Sequence, residues 1–323
     1  MKEDVKVSLV QFASESLQRE RNAERMKRFA EEEAAAGAEL IVFPELSNLG
    51  YIRPVAVGYA VEAADGGSFQ EFARRYYEAA EPLPGPTTET LGSVARRTGT
   101  YIMLGMAHHP SVVPHSLFNS AVLIGPNGVV GWQAKVHIPL NEKHFFYPGN
   151  TAQVYPTELG HLGMMVCYDA YFPELCRVLA LRGAEILCSV FVGPSISGLV
   201  EEERCRLLAY VRSRENRAFF LACNRAGTEG KYNLVGHSAV ASPAGKILAF
   251  CETDQEAVLR ATLVAEDLIA ARSLMPIFRD RRPELYGLLS QPFEDLVEGP
   301  VETVGLPPVR ELAGYLRMYE ETP

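Results

Sequence analysis

Ser120-Ala121-Val122-Leu123-Ile124-Gly125-Pro126-Asn127-Gly128-Val129-Val130 and Ser238-Ala239-Val240-Ala241-Ser242-Pro243-Ala244-Gly245-Lys246-Ile247-Leu248 read as one unit written twice. Each is a strand, a Pro-x-Gly turn and a returning strand, repeated at an offset of about 118 residues. A second echo joins Gly37-Ala38-Glu39-Leu40-Ile41 to Gly183-Ala184-Glu185-Ile186-Leu187, at an offset of about 146 residues. The first half must therefore hold roughly 28 residues that the second lacks, and the stretch 52–83 is the natural place for them. Pro-x-Gly turns are common enough for coincidence to stay open. Two similar halves, each with strands and helices, predict two β-sheets packed face to face with helices outside, in one domain rather than two.

Working outward, residues 5–12 alternate apolar and polar side chains, 16–36 carry helix formers with dense charge, and 38–43 form a largely apolar run. That pattern is strand, helix, strand. Further strands are expected at 101–107, 120–124, 163–167, 186–192, 219–223 and 238–241, and helices at 69–81, 87–98, 173–182 and 201–217. This order makes the chain an α/β protein. The alternation stops after about Asp267, and residues 272–323 scatter Met275, Ile277, Phe278, Tyr286, Leu288, Leu289 and Leu306 among many prolines. We expect one domain over 1–270 and a tail over 271–323. Tyr286-Gly287-Leu288-Leu289 favours a tail docked on the body or at a subunit interface over a disordered one.

The 323 residues are 47% hydrophobic and 22% charged, enough for a sizeable core and unlike a disordered chain or a disulfide scaffold. Lys and Arg number 31 against 40 Asp and Glu, a net charge of −9 that argues against nucleic acid or an anionic membrane as partner. No apolar run approaches the roughly 18 to 20 residues that span a bilayer, and the first residues carry no basic segment or cleavage site, so a cytoplasmic location is expected. Cys167, Cys176, Cys188, Cys205, Cys223 and Cys251 form no CxxC pairs and read as reduced thiols. Cys176, in the expected helix after Cys167, is placed facing the core, a poor position for a resolving cysteine.

Cys167 closes the apolar run from Leu162 and precedes Tyr168-Asp169-Ala170-Tyr171-Phe172-Pro173-Glu174, where a helix begins. A thiol at a strand-to-helix elbow lies near N–H groups that favour a thiolate and can hold an oxyanion. An arbitrary cysteine is more often a buried structural one, so its neighbours have to decide. Glu45 follows the apolar run 40–43 at the carboxyl end of a strand, where α/β proteins build sites. It suits a general base, and equally an N-cap or a solvated acid. Lys135, among apolar neighbours at the end of the strand from Val129, can stabilise a tetrahedral oxyanion or be an ordinary surface lysine. Glu142, in the aromatic-rich stretch 142–149, can hold Lys135 by ion pairing or be a solvated loop acid. His137 and His144 invite a Cys-His pair, but nothing in the sequence sets either beside Cys167.

Taken in order, Phe43-Pro44-Glu45, Lys135-Val136-His137, Glu142 ahead of Pro148-Gly149, and Cys167-Tyr168-Asp169 with Phe172-Pro173-Glu174 resemble the carbon-nitrogen hydrolase or nitrilase superfamily. Asn119-Ser120-Ala121-Val122, Arg212-Ser213-Arg214-Glu215-Asn216 and Asn224-Arg225-Ala226-Gly227 extend the resemblance over about three quarters of the chain. The resemblance implies a four-layer αββα sandwich with an internal pseudo-two-fold, pairing through its helices into a homodimer or higher homo-oligomer. It implies Cys167 as nucleophile, Glu45 as general base, Lys135 with the Tyr168 N–H as oxyanion site, Glu142 as assistant, and no metal or organic cofactor.

The expected reaction is hydrolysis of the carbon-nitrogen bond of a small amide through a thioester. True nitrilases resemble Cys-Trp-Glu at the nucleophile; Cys167-Tyr168-Asp169 looks like the amidase and N-carbamoyl amidohydrolase branches. Carbamoylases that hold a carboxylate resemble a pattern with arginines soon after the nucleophile, where this chain has Ala170 and Tyr171. That leaves Arg177 or an insertion residue for such a task. Tyr51, Phe191 and Val192 suggest an apolar lining and a neutral aliphatic or aryl amide, although ordinary core packing explains them as well. An N-carbamoyl (ureido) substrate is the alternative, with nitrilase and ammonia-supplying glutaminase activities ranked below it.

Overall fold

The computed structural model describes residues 1–51, 55–57, 60–62, 69–110, 116–193, 203–229 and 232–291. The first half runs β1 (Asp4–Gln11), α1 (Arg19–Ala35), β2 (Leu40–Val42), a hairpin of β3 (Val55–Val57) and β4 (Ala60–Glu62), α2 (Phe69–Ala79), α3 (Pro86–Thr98), β5 (Tyr101–His108), β6 (Phe118–Gly125) and β7 (Gly128–Ala134). The second runs β8 (Val154–Thr157), β9 (Gly160–Val166), α4 (Pro173–Leu181), β10 (Ile186–Phe191), α5 (Arg204–Asn216), β11 (Phe219–Asn224), β12 (Ala226–Glu229), β13 (Tyr232–Val235), β14 (Ala239–Ala241), β15 (Ile247–Phe250), β16 (Ala257–Val264) and α6 (Ala265–Leu274).

One sheet has the order β16-β1-β2-β5-β6-β7 and the other β15-β14-β11-β10-β9-β8. Reversing the first order lays β7 on β15, β6 on β14, β5 on β11, β2 on β10 and β1 on β9. The two sequence echoes are therefore the β6–β7 and β14–β15 hairpins and the strands β2 and β10. In each half three parallel strands precede the antiparallel hairpin.

Alternation of side chains across the pleat sorts the core into layers. Val5, Val7, Leu9, Leu40 and Val42 from one sheet meet Leu162, Met164, Ile186, Cys188 and Leu221 from the other. On the outer face of the first sheet, Ile41, Ile102 and Leu104 pack against Met26, Ala30, Leu91 and Val94 of α1 and α3. On the outer face of the second, Met165, Leu187 and Phe220 pack against Leu175, Leu179 and Ala209 of α4 and α5. The result is the expected αββα sandwich, each buried Val, Leu or Ile stabilising it by roughly 1.5–3 kcal/mol.

Two elements lie beyond the last strand expected from the sequence, at 238–241. β16 pairs antiparallel with β1 from Asp4↔Val264 to Gln11↔Ala257, and α6 follows it to Leu274. The first compact unit accordingly ends at Met275, beyond the boundary expected near residue 270, and a second begins at Pro276. Its described part holds two short 3-10 turns, Pro283–Leu285 and Gly287–Ser290. The remainder of the expected tail, 292–323, lies outside the described residues, as do 52–54, 58–59 and 63–68 of the expected insertion. Among the described residues no helix is long and apolar enough to cross a membrane.

Candidate active site

The site forms where strands of both sheets end. Past β2 the chain turns through Phe43 and Pro44 to Glu45, which is fully buried. Glu45 Oε1 accepts from Lys135 Nζ at 2.8 Å and Asn119 Nδ2 at 2.7 Å, and Oε2 accepts from the Val192 N–H at 2.8 Å. A Cβ at Gly105, on neighbouring β5, would stand 2.4 Å from Glu45 Cα, so only glycine lets the two backbones approach this closely.

Lys135 follows β7. Its N–H donates to the Asn119 carbonyl at 2.8 Å and its carbonyl accepts from Gly149 N at 2.7 Å, so the Pro148-Gly149 turn folds back to hold it. Its ammonium donates to Glu45 Oε1 at 2.8 Å and to Glu142 Oε1 and Oε2 at 2.9 and 2.8 Å. Burial alone disfavours this charge, but the Glu142 and Glu45 carboxylates outweigh it and hold the ammonium well above the ordinary lysine range. Burial pushes the Glu142 carboxyl up; Lys135 opposes that shift, Glu45 adds to it, and the Tyr51 hydroxyl opposes it through a hydrogen bond of 2.8 Å.

Cys167 begins a 3-10 turn, Cys167–Tyr171, with φ at +48°, a strained value for a residue with a side chain and the mark of a sharp elbow. Its side chain is part-buried, and its thiol points at the Val192 carbonyl at 3.8 Å. Burial first, and then the Glu45 carboxylate, push the thiol far above the usual cysteine range. A thiol held in this way favours its neutral form, and would need a base in order to attack. Tyr168 is the next residue of the turn, where backbone N–H groups have no carbonyl one turn behind them.

Buried Asp169 ties the lysine-bearing strand to this elbow. It accepts from Val136 N at 3.1 Å, His137 N at 2.8 Å, His137 Nδ1 at 2.8 Å and Val166 N at 3.2 Å. His137 spends its ring nitrogen there and stacks on Phe172 at 3.6 Å. His144 is exposed on a groove of about 770 Å³ shared with Tyr168, Phe172 and Tyr147. All six cysteines are free, and buried Cys176 packs against Met165.

The structure thus brings Glu45, Lys135, Glu142, Cys167 and Val192 together, and corrects the expected lining. The Phe191 ring is buried with Leu187, Cys205 and Ala209 on the outer side of its sheet, under α5. Phe191 reaches the site through its backbone, its carbonyl accepting from Glu45 N at 3.3 Å. Val192 likewise contributes its main chain. Tyr51 is not a purely apolar wall, since its hydroxyl is bonded to Glu142. Arg177 donates to the Glu215 carbonyl in the outer helix layer. Asn119 and Asp169 went unassigned in the sequence; a polar Asn inside an apolar strand was the available signal for the first. Among the described residues no group of three or more His, Cys, Asp or Glu side chains could hold a metal ion.

Comparison with known proteins places the chain in a family. The model of the family described as carbon-nitrogen hydrolase matches residues 6–273. A protein named nitrilase from Pyrococcus abyssi is 33% identical over 289 residues, covering 87% of this chain and 99% of its own. An N-carbamoylputrescine amidase from Solanum lycopersicum is 30% identical over 285 residues, covering 83% and 88%. In fold, the crystal structure of a carbon-nitrogen hydrolase from Helicobacter pylori G27 matches with a TM-score of 0.74 at 24% identity, covering 89% and 99%. On the family match over most of its length, the chain belongs to the carbon-nitrogen hydrolase family and is an amidase-type hydrolase.

Proposed function

We propose that the protein is a cysteine-dependent amidohydrolase that converts a small, neutral amide to a carboxylic acid and ammonia through a thioester. The observation that carries this reading is the buried Glu45–Lys135–Glu142 array, joined to Cys167 through the main chain of Val192. A high-pKa thiol beside a buried carboxylate calls for proton removal during attack rather than a stored thiolate.

In that reading Glu45 takes the thiol proton as Sγ bonds to the amide carbon, and the carbonyl electron pair moves to an oxyanion held by Lys135 Nζ and the Tyr168 N–H. Collapse breaks the carbon-nitrogen bond, and the leaving nitrogen takes the proton from Glu45 and departs as ammonia. A water deprotonated by Glu45 then attacks the thioester, releasing the acid and restoring the thiol. Glu142 fixes Lys135 so that its charge lies where the oxyanion forms.

The name of the tomato relative favours a second reading, an N-carbamoyl substrate cleaved by the same steps to ammonia, carbon dioxide and an amine. The name of the Pyrococcus relative keeps nitriles among the compounds to be tried. For assembly we infer a homodimer paired through the outer helices. Val178 and Leu181 of α4 and Leu207, Tyr210 and Val211 of α5 are exposed apolar side chains whose burial against a second copy is favourable. Light scattering on Leu207→Glu, expected to release monomer, tests that pairing.

The functional test is ammonia release from neutral aliphatic amides, aryl amides, ureido compounds and nitriles, with Cys167→Ala as blank. Amide turnover lost in the variant supports the first reading. Turnover confined to ureido compounds or nitriles replaces it, and turnover that survives in Cys167→Ala overturns the cysteine mechanism.

A further inference from the structure

The Gly50–Tyr51 peptide is gripped from both sides. Its carbonyl accepts from the hydroxyl of Tyr76 on α2 at 3.1 Å, and its N–H, on Tyr51, donates to Glu229 Oε1 and Oε2 at 3.1 and 3.0 Å. Gly50 has φ of +79°, and a Cβ there would meet Glu229 Oε1 at 2.5 Å, so the carboxylate approaches only because residue 50 is glycine. Glu229 is held in turn by Arg225, whose Nη1 donates to Oε2 at 2.8 Å and whose Nη2 donates to the Ser14 carbonyl. Tyr76, Arg225 and Glu229 are all buried.

This grip sits behind the site. Tyr51 is the residue it immobilises, and the Tyr51 hydroxyl donates to Glu142 Oε1, one of the two oxygens that Lys135 binds. Arg225 also donates its backbone N–H to the Phe191 carbonyl at 3.1 Å, one residue before the Val192 that meets Glu45. A buried charge pair is weak evidence of net stabilisation; what fixes the peptide here is the set of bonds to both of its ends. That geometry ends on the assistant carboxylate.

We propose that Glu229 is a positioning residue of the active site: with Arg225 and Tyr76 it fixes the Gly50–Tyr51 peptide, and so sets the Tyr51 hydroxyl on Glu142. Two segments distant from the nucleophile thereby act on it, the β12 strand of the second half and α2 of the 52–83 stretch. This rests on the proposed role of Glu142 beside Lys135.

The test is a double-mutant cycle of Tyr51→Phe and Glu229→Gln, read in two ways. Gln keeps the shape of Glu229, but in either orientation its amide NH2 faces the Tyr51 N–H in place of one of the two accepting oxygens, and in one orientation it faces Arg225 as well. In amide turnover, Tyr51→Phe lowers kcat about tenfold and Glu229→Gln about three- to tenfold, and the double variant is no worse than Tyr51→Phe alone. The second reading needs no substrate: the rate at which iodoacetamide alkylates Cys167 at pH 8. Without the Tyr51 hydroxyl the Glu142 carboxylate, and the Lys135 ammonium it holds, are free to shift beside Cys167. The alkylation rate therefore changes severalfold in Tyr51→Phe, in the same direction in Glu229→Gln, and no further in the double variant. A purely structural Glu229 would lower the melting temperature, leave the alkylation rate of the folded protein unchanged and give multiplying losses in kcat; any of the latter two overturns the proposal. Absence of amide turnover in the wild type counts against the functional reading alone, because the alkylation cycle is still measurable.

Discussion

Val192 donates its backbone N–H to Oε2 of Glu45 at 2.8 Å, and Glu45 returns its own N–H to the carbonyl of Phe191 at 3.3 Å. These residues follow β10 and β2, strands that hold equivalent places in the two sheets. The carbonyl of Val192 also receives the Cys167 thiol at 3.8 Å. One residue's main chain therefore registers the candidate base against the candidate nucleophile, and the packing of one half on the other is what assembles the site.

Glu45→Gln keeps an acceptor for Lys135 but turns a donor toward the Val192 N–H and cannot take a proton. Steady-state ammonia release should fall about 10²–10⁴-fold while the circular dichroism spectrum stays that of the wild type. Retention of a tenth of the activity would remove Glu45 from the base role.

Lys135→Met leaves Glu45 and Glu142 buried without their cation. The fold should lose about 3–5 kcal/mol at pH 7, measured by denaturant unfolding. Glu142, already pushed up by burial, is pushed further once Lys135 no longer opposes the shift. A carboxyl with a raised folded-state pKa binds its proton more tightly in the folded protein. The variant should accordingly regain stability relative to wild type as pH falls toward the unfolded value of about 4.3, and lose it as pH rises through the folded value.

Asp169→Asn converts an acceptor of four N–H groups into a side chain with one acceptor oxygen. We expect a loss of about 1–3 kcal/mol in unfolding free energy. A larger fractional loss in kcat than in folded population is expected as well, because the bonds that break join the Lys135 strand end to the Cys167 elbow.

Gly105→Ala places a methyl group 2.4 Å from Glu45 Cα, inside any tolerable contact. The β5 backbone or the Glu45 loop must move, at a cost of about 1–3 kcal/mol in stability. Activity should fall more than tenfold with the protein still folded, since a displacement of about an ångström in a reacting group is that costly.

Much of this was local enough to read from the chain. The β6–β7 and β14–β15 hairpins show as alternating side chains around a Pro-x-Gly turn, and Glu45, Lys135 and Cys167 stand where apolar strands end. Such signals depend on residues a few positions apart, so one strand carries them whatever packs against it. The pairing of β16 with β1, by contrast, brings Asp4 opposite Val264, and no local pattern near either residue specifies the other.

The sequence by itself determined the class of fold, the doubled architecture and the identity of the charged and nucleophilic groups. Only the tertiary structure decided how they are wired. It turned the Phe191 ring into the outer core while lending its carbonyl to Glu45, gave Val192 to both Glu45 and Cys167, and set the Tyr51 hydroxyl on Glu142. The physical reason is that backbone N–H and carbonyl groups are the same at almost every position, so what each one meets depends on which segment the fold brings beside it.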